Sequence, residues 1–332
     1  MIRVGIIGLG VGKHHFDALV KNPLCELTHV CDFDKLKLKE YKKKYPSIIF
    51  TENDNEIFDN KSIDLVSIAS YDYFHYEQII KSLNNKKSVF VEKPICLSNQ
   101  ELVNIFKVLN RYKKLQISSN LVLRTEPSFI KLKKNINYNK FGKIYYAEAD
   151  YYWGRINKLL GWRSQFNYSI ILGAAIHMID LMLWVLEELP YKVTAFANKI
   201  STKSIKFKNN SFVIIILEFK NGLILKITGN GGCVHPHFHG IKIFSDKQTY
   251  IHDLNSTFKI EKNKKYGQKT SNIPTSYPSK YLRKNIINNF IESLNSNKNN
   301  SIINKKEIYN LMKICFAAEE SIKKNKSQII KY

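Results

Sequence analysis

Val4-Gly5-Ile6-Ile7-Gly8-Leu9-Gly10-Val11-Gly12-Lys13-His14-His15 decides how the rest of this chain is read. The apolar run from Ile2 is long enough for one buried strand. It breaks at three glycines and resumes at helical spacing through Phe16, Leu19 and Val20. Strand, glycine turn and helix form the context in which such a motif cradles a dinucleotide. Gly8 permits the tight turn, and Gly10 lets the backbone approach a pyrophosphate. Val11 and Gly12 lead into a helix whose first amides face phosphate oxygens. The spacing is G-x-G-x-G, with Lys13 in the usual third position and Gly12 one residue early. A second strand, Leu27 to Cys31, ends in Asp32, 20 residues beyond Gly12. A carboxylate there accepts hydrogen bonds from a ribose 2′-OH and repels a 2′-phosphate. No Arg or Lys follows in Asp32-Phe33-Asp34, so NAD is favoured over NADP.

Outward from that motif, helix and strand patterns alternate. Lys35 to Tyr45 reads as a helix, and Ile48 to Phe50 and Asp64 to Ala69 as strands. Ser88 to Val91 is a strand that delivers Glu92-Lys93-Pro94. Ser98 with Glu101 is a capping box for a helix over Gln100 to Asn110, and Leu115 to Ser118 closes the series. This predicts an α/β Rossmann domain, a doubly wound parallel sheet, over residues 1–120. Ligands lie beyond the carboxyl ends of such strands, where Ser70, His75, Glu92 and Lys93 fall.

Residues 121–332 have another texture. Lys143 to Trp153, Lys192 to Lys199, Phe212 to Phe219, Leu223 to Gly229, Ile241 to Ser245 and Thr249 to His252 are strand-like. Asn221-Gly222 is a hairpin turn, and Ala174 to Leu186 is apolar at helical spacing. Asn255 to Ser279 is polar and Lys-rich with Pro274 and Pro278, which predicts a long loop. Two helices follow, near Tyr281 to Leu294 and Lys305 to Lys324. The expectation is an α+β domain with a large, mostly antiparallel open sheet.

A chain of 332 residues suits two cores. No apolar run reaches the ~18 residues of a membrane span, and the first strand starts too early to leave room for a signal peptide. The five cysteines form no C-x-x-C pair, which implies reduced thiols, no metal site and a cytoplasmic setting. The net charge is +24, yet only 6 of the 52 basic residues are Arg, and Lys is spread along the whole length. Base readers depend on Arg for bidentate contacts, so a solvated Lys-rich surface is expected, with no nucleic acid partner.

The glycine turn, Asp32, Glu92-Lys93-Pro94 and His177-Met178-Ile179-Asp180 occur in an order that resembles the Gfo/Idh/MocA oxidoreductase family. Arg124-Thr125-Glu126-Pro127 is similar to that family's R-F-x-P, and Ala69 to His75 to its A-T-P-N-x-x-H. Ala317-Ala318-Glu319-Glu320-Ser321 resembles its last helix. The resemblance implies an NAD(P)-dependent oxidoreductase acting on the CH–OH group of a sugar, inositol or sugar nucleotide, assembled as a homodimer or homotetramer. It also implies that Lys93 lies beside the nicotinamide and the substrate hydroxyl, and that His177 accepts or donates the proton. One departure stands out. The family's D-x-G-x-H-x-x-D is here Gly173 to Asp180, and Gly173 supplies no carboxylate.

Around His177, Asp180 is at i+3 and is expected to orient the imidazole or bind a substrate hydroxyl. Arg124, Trp162 and Arg163 complete the candidate substrate-binding set, Trp162 against a sugar face and Arg163 on an anionic group. His14 and His15 are read as helix-surface residues, and His235-Pro236-His237-Phe238-His239 as a strand-entry loop rather than a metal site. Two alternatives stay open: an NAD-dependent glycoside hydrolase of the same fold, and a non-catalytic NAD-binding regulator.

Overall fold

The computed structural model describes residues 1–274, 277–296 and 301–332. Its first unit comprises Met1–Val122 and Tyr281–Met312. Six strands, β1 (Ile2–Ile7), β2 (Cys25–Cys31), β3 (Ile49–Thr51), β4 (Leu65–Ile68), β5 (Ser88–Val91) and β6 (Ile117–Ser119), form one sheet in the order β3-β2-β1-β4-β5-β6. All neighbours are parallel. The strand order reverses between β1 and β4, where the glycine turn leaves the sheet. Every residue of β4 and β5 is buried, so these strands show no polar–apolar alternation. Helix Asn99–Arg111 buries Leu102, Ile105 and Leu109 as one stripe. Its N-terminus carries the capping box: the Glu101 amide donates to Ser98 Oγ at 3.2 Å, and the Leu97 amide to the Glu101 carboxylate at 2.8 Å.

Residues 281–312 differ from the expected 120/121 division. Helix Lys284–Asn295 buries Ile286, Ile287, Phe290 and Ile291, and packs on β1 and helix Lys13–Leu19. Phe290 lies 6.0 Å from Phe90 of β5. Periodicity marks the apolar stripe of that helix without saying which sheet it covers.

The second unit comprises Leu123–Lys280 and Lys313–Tyr332. Its strands are β7 (Ile144–Tyr152), β8 (Lys192–Asn198), β9 (Phe212–Glu218), β10 (Ile224–Asn230), β11 (Phe238–Ser245), β12 (Gln248–His252), β13 (Ser256–Glu261), β14 (Gln268–Asn272) and β15 (Gln328–Ile329). They form a nine-stranded sheet, β14-β13-β12-β11-β7-β10-β9-β8-β15, antiparallel throughout except for β7 with β10. The loop expected over Asn255 to Ser279 is corrected here, because β13 and β14 pair within it. All five residues of β14 are polar and exposed, so backbone pairing at a sheet edge leaves no apolar alternation to read. Residues 275 and 276 of that span lie outside the described residues.

One face of this sheet is covered by helix Ile176–Leu186, which packs on β7 and β10. Small residues let it approach: Ala147 and Ala149 are fully buried, and a Cβ at Gly229 would stand 3.1 Å from that of Ala175. The other face carries a charge ladder, with Lys226 bonded to Glu148 at 2.8 Å and Lys192 to Glu218 at 2.9 Å. Among the described residues, no helix is long and apolar enough to cross a membrane.

Candidate functional site

In the first unit the site begins at the glycine turn after β1. Gly8 has φ +93°, and a Cβ there would meet the Ala69 carbonyl oxygen at 2.5 Å. A Cβ at Gly12 would lie 1.9 Å from the Gly8 carbonyl oxygen, so the early third glycine closes the turn on itself. Gly10 has nothing within 4 Å of that position, and Val11 beside it is half exposed. Two glycines therefore build the turn, and one leaves its backbone open to a ligand. Asp32 is buried at the end of β2, with its carboxylate accepting from the Leu9 amide at 2.5 Å and the Asp34 amide at 2.9 Å. An acceptor fixed against a glycine turn at the strand-order reversal fits a dinucleotide: amides for the pyrophosphate, a carboxylate for the adenosine ribose.

The ends of β4 and β5 are tied together by His75, which is fully buried. Its Nδ1 bonds the Pro94 carbonyl at 2.7 Å and its Nε2 approaches the Ser70 carbonyl at 3.2 Å. Ser70 itself donates to Gln78 at 2.6 Å. These contacts hold the backbone on both sides of the site, one residue beyond Lys93. Phe33, Tyr71, Tyr73 and Phe74 form a run of neighbouring rings at the ends of β2 and β4, with centroid distances of 6.0, 5.7 and 4.4 Å. Sequence reasoning passed over them because they belong to two separate strand ends.

His15 corrects its reading as a surface residue, being 2% exposed. Its Nδ1 pairs with Ser67 Oγ at 2.8 Å and its Nε2 with Glu92 at 3.2 Å, while Asn120 donates to the same Glu92 oxygen at 2.7 Å. Burial pushes the Glu92 carboxyl up. The His15 bond and charge, the Asn120 amide and the Lys93 charge outweigh it and hold the group at about 2. Glu92 is thus a fixed anion directly before Lys93.

In the second unit, His177 lies on helix Ile176–Leu186 with its ring stacked on Tyr151 at 5.6 Å and 12°. Tyr151 also gathers His237 and His239. Its hydroxyl is 3.1 Å from His237 Nε2, and its ring is 4.9 Å from that of His239. His239 Nδ1 in turn bonds the Tyr277 hydroxyl at 2.8 Å. His235 and His237 precede β11 and His239 lies within it. Asp180, expected to orient the imidazole or bind a substrate hydroxyl, has its carboxylate on Arg124, accepting from Nε at 3.1 Å and Nη2 at 2.6 Å. Both side chains are 2% exposed, so the two expected substrate ligands are brought onto each other. Arg163 lies 4.2 Å over the Trp162 ring, 5.5 Å from Tyr168 and 5.8 Å from Trp153, an aromatic seat rather than an open anion site.

The comparisons with known proteins agree with this architecture. A sequence profile described as "Oxidoreductase family, NAD-binding Rossmann fold" matches residues 2–120, and one for the GFO/IDH/MocA C-terminal domain matches 129–251. A myo-inositol 2-dehydrogenase of Thermotoga maritima is 24% identical over 74% of this chain and 73% of its own. A 2,7-anhydro-N-acetylneuraminate hydratase of Escherichia coli is 25% identical over 77% and 69%. Two further curated inositol dehydrogenases are spanned over 63% and 55% of their own length. The crystal structure of scyllo-inositol dehydrogenase from Lactobacillus casei with bound NAD(H) and scyllo-inositol superposes with TM-score 0.81, at 19% identity, over 99% of both chains. The chain belongs to the Gfo/Idh/MocA oxidoreductase family, and its first unit is an NAD-binding Rossmann domain.

Proposed function

We propose that this protein is an NAD-dependent dehydrogenase of a small polyol, sugar or sugar nucleotide. The observation that carries the reading is Asp32, turned onto the Leu9 amide beside a glycine turn whose middle residue faces open space. Its carboxylate supports NAD over NADP, because a 2′-phosphate would meet an anion there. Phe33 and Tyr71 offer ring faces for the adenine.

When bound, the nicotinamide exchanges a hydride with the carbon that bears the reacting hydroxyl. Lys93 donates a hydrogen bond to that oxygen, and Glu92 keeps a negative charge behind it. His177 takes the hydroxyl proton on oxidation and returns it on reduction. Its stacking on Tyr151 limits ring rotation, so proton transfer proceeds from a defined orientation. Arg124 and Asp180 hold the helix that carries it. Relatives named as inositol dehydrogenases support a neutral cyclic polyol as the substrate class.

The hydratase relative favours a second reading, in which oxidation is transient and no net redox change appears, as in the glycosidase alternative. A panel of inositols, sugars and sugar nucleotides with NAD separates the readings. NADH accumulation supports the dehydrogenase, and cleavage or hydration without NADH supports the second. NAD binding with neither outcome leaves a regulator. The alternating face of β8 and β9, with Phe196, Ile214 and Ile216, supports self-association, to be tested by light scattering for a dimer or tetramer.

A further inference from the structure

Gly173 is where the chain departs from its family's pattern, and the reading above assigns that position no role. A Cβ there would lie 1.7 Å from the Tyr168 hydroxyl oxygen and 2.4 Å from Cζ. The space that any side chain at 173 would enter is therefore filled by the Tyr168 phenol. Gly173 sits in a π-helical turn, Ile171–Ala175, that runs directly into the helix of His177. Four residues separate the two positions, so they share a face one turn apart.

The phenol is held from several elements. Trp162, Trp153 and Phe207 meet the Tyr168 ring edge-on at 5.9, 6.5 and 6.3 Å. The next residue, Ser169, is bonded to Glu319 of the last helix and accepts from the Leu172 amide at 3.0 Å, which fixes the start of the π turn. From Trp153 the rings continue through Tyr151, at 6.2 Å, to His177. A continuous series of ring contacts thus links Tyr168 to the His177 imidazole.

We propose that Tyr168 is a substrate-binding residue that acts in place of a side chain at position 173. Its hydroxyl bonds the oxygen substituent on the substrate carbon next to the one whose hydroxyl His177 deprotonates. This rests on the assignment of His177 to the substrate made above. A carboxylate at 173 would only accept hydrogen bonds and would repel an anion, whereas a phenol both donates and accepts. The face therefore admits either a hydroxyl or a carboxylate at that carbon, and polyols and their uronates are the two arms of the test.

Tyr168→Phe removes one oxygen and keeps the ring, and its melting temperature reports whether the fold is intact. The expected result is a KM raised about tenfold, the scale of one lost hydrogen bond, with kcat little changed. Stabilisation of the NAD-loaded protein by the same polyol or uronate should weaken in parallel, a readout that needs no turnover. Gly173→Asp alone should destabilise the protein, because it meets the phenol. Tyr168→Ala/Gly173→Asp should regain polyol affinity over Tyr168→Ala, while uronate affinity stays low. Wild-type KM and wild-type thermal stabilisation in a folded Tyr168→Phe would overturn the inference while leaving the dehydrogenase reading in place. Should the wild-type protein neither turn over nor be stabilised by any compound of either arm, both would fall.

Discussion

The strand ends of the first unit and the His177 helix of the second, both assigned to the reaction in the proposed mechanism, handle charge by opposite means. Beside Lys93 the protein keeps a charge: Glu92, bonded to His15 and Asn120, stays ionised down to about 2. On the His177 helix it pairs charge: Asp180 meets Arg124 in a buried pair, and the imidazole stacks on Tyr151. In the proposed mechanism the lysine follows directly on a fixed anion. At the imidazole the protein offers a ring face, with Tyr151 stacked on it. The proposed ligand-binding parts differ in the same way. In the first unit they are mostly backbone at a glycine turn, and in the second they are side chains.

The largest expected effect tests whether both regions serve one reaction. Lys93→Ala and His177→Ala should each lower kcat by about 10²–10⁴, the range of general acid–base contributions, with NAD affinity preserved in His177→Ala. Full activity in either variant, measured by NADH formation, would detach that region from the chemistry. Next is the neutralised pair. Asp180→Ala leaves a buried guanidinium without its carboxylate, and should cost about 3–5 kcal/mol in chemical denaturation. A loss below about 1 kcal/mol, the range of exposed pairs, would mean that the pair is not buried in solution.

Acid should loosen the second unit before the first, where burial also lowers His14 and His29 but by less than it lowers His252. Burial depresses His252 from 6.5 to about 4, so its contribution is present above 6.5 and is lost as the pH falls through 4. The proton it refuses between those values corresponds to about 3 kcal/mol. Glu92 is depressed from 4.5 to about 2, so its contribution is lost only between those lower values. Burial raises Glu319, whose contribution has the opposite sign and fades as the pH rises through its elevated value. All three tryptophans, Trp153, Trp162 and Trp184, belong to the second unit, so their fluorescence follows that unit alone. Its acid midpoint should lie above that of amide exchange in β1 to β5, and coincident midpoints would refute the order. The smallest effect separates the glycines. Gly8→Ala forces a left-handed residue and should cost about 1–2 kcal/mol or more. Gly10→Ala should leave stability unchanged and weaken NAD binding, as read by calorimetry.

Much of this protein was present in its local sequence. The glycine turn, the place of Asp32, the Ser98 cap and the strand carrying Lys93 all depend on residues within a few positions of one another, and the structure shows each where its spacing put it. The same holds for the alternating strands of the second sheet, since one face is covered and the pattern has period two. Local spacing did not show that Asp180 also has Arg124, 56 residues away, as a partner. It misled at His15, whose partner Glu92 is 77 residues on, and at β14, whose pairing rests on backbone groups that every sequence carries. Gly173 showed only that a carboxylate was missing. That a phenol five residues earlier fills its space depends on how Trp153, Trp162 and Phe207 close around Tyr168, and such packing exists only once the chain has folded.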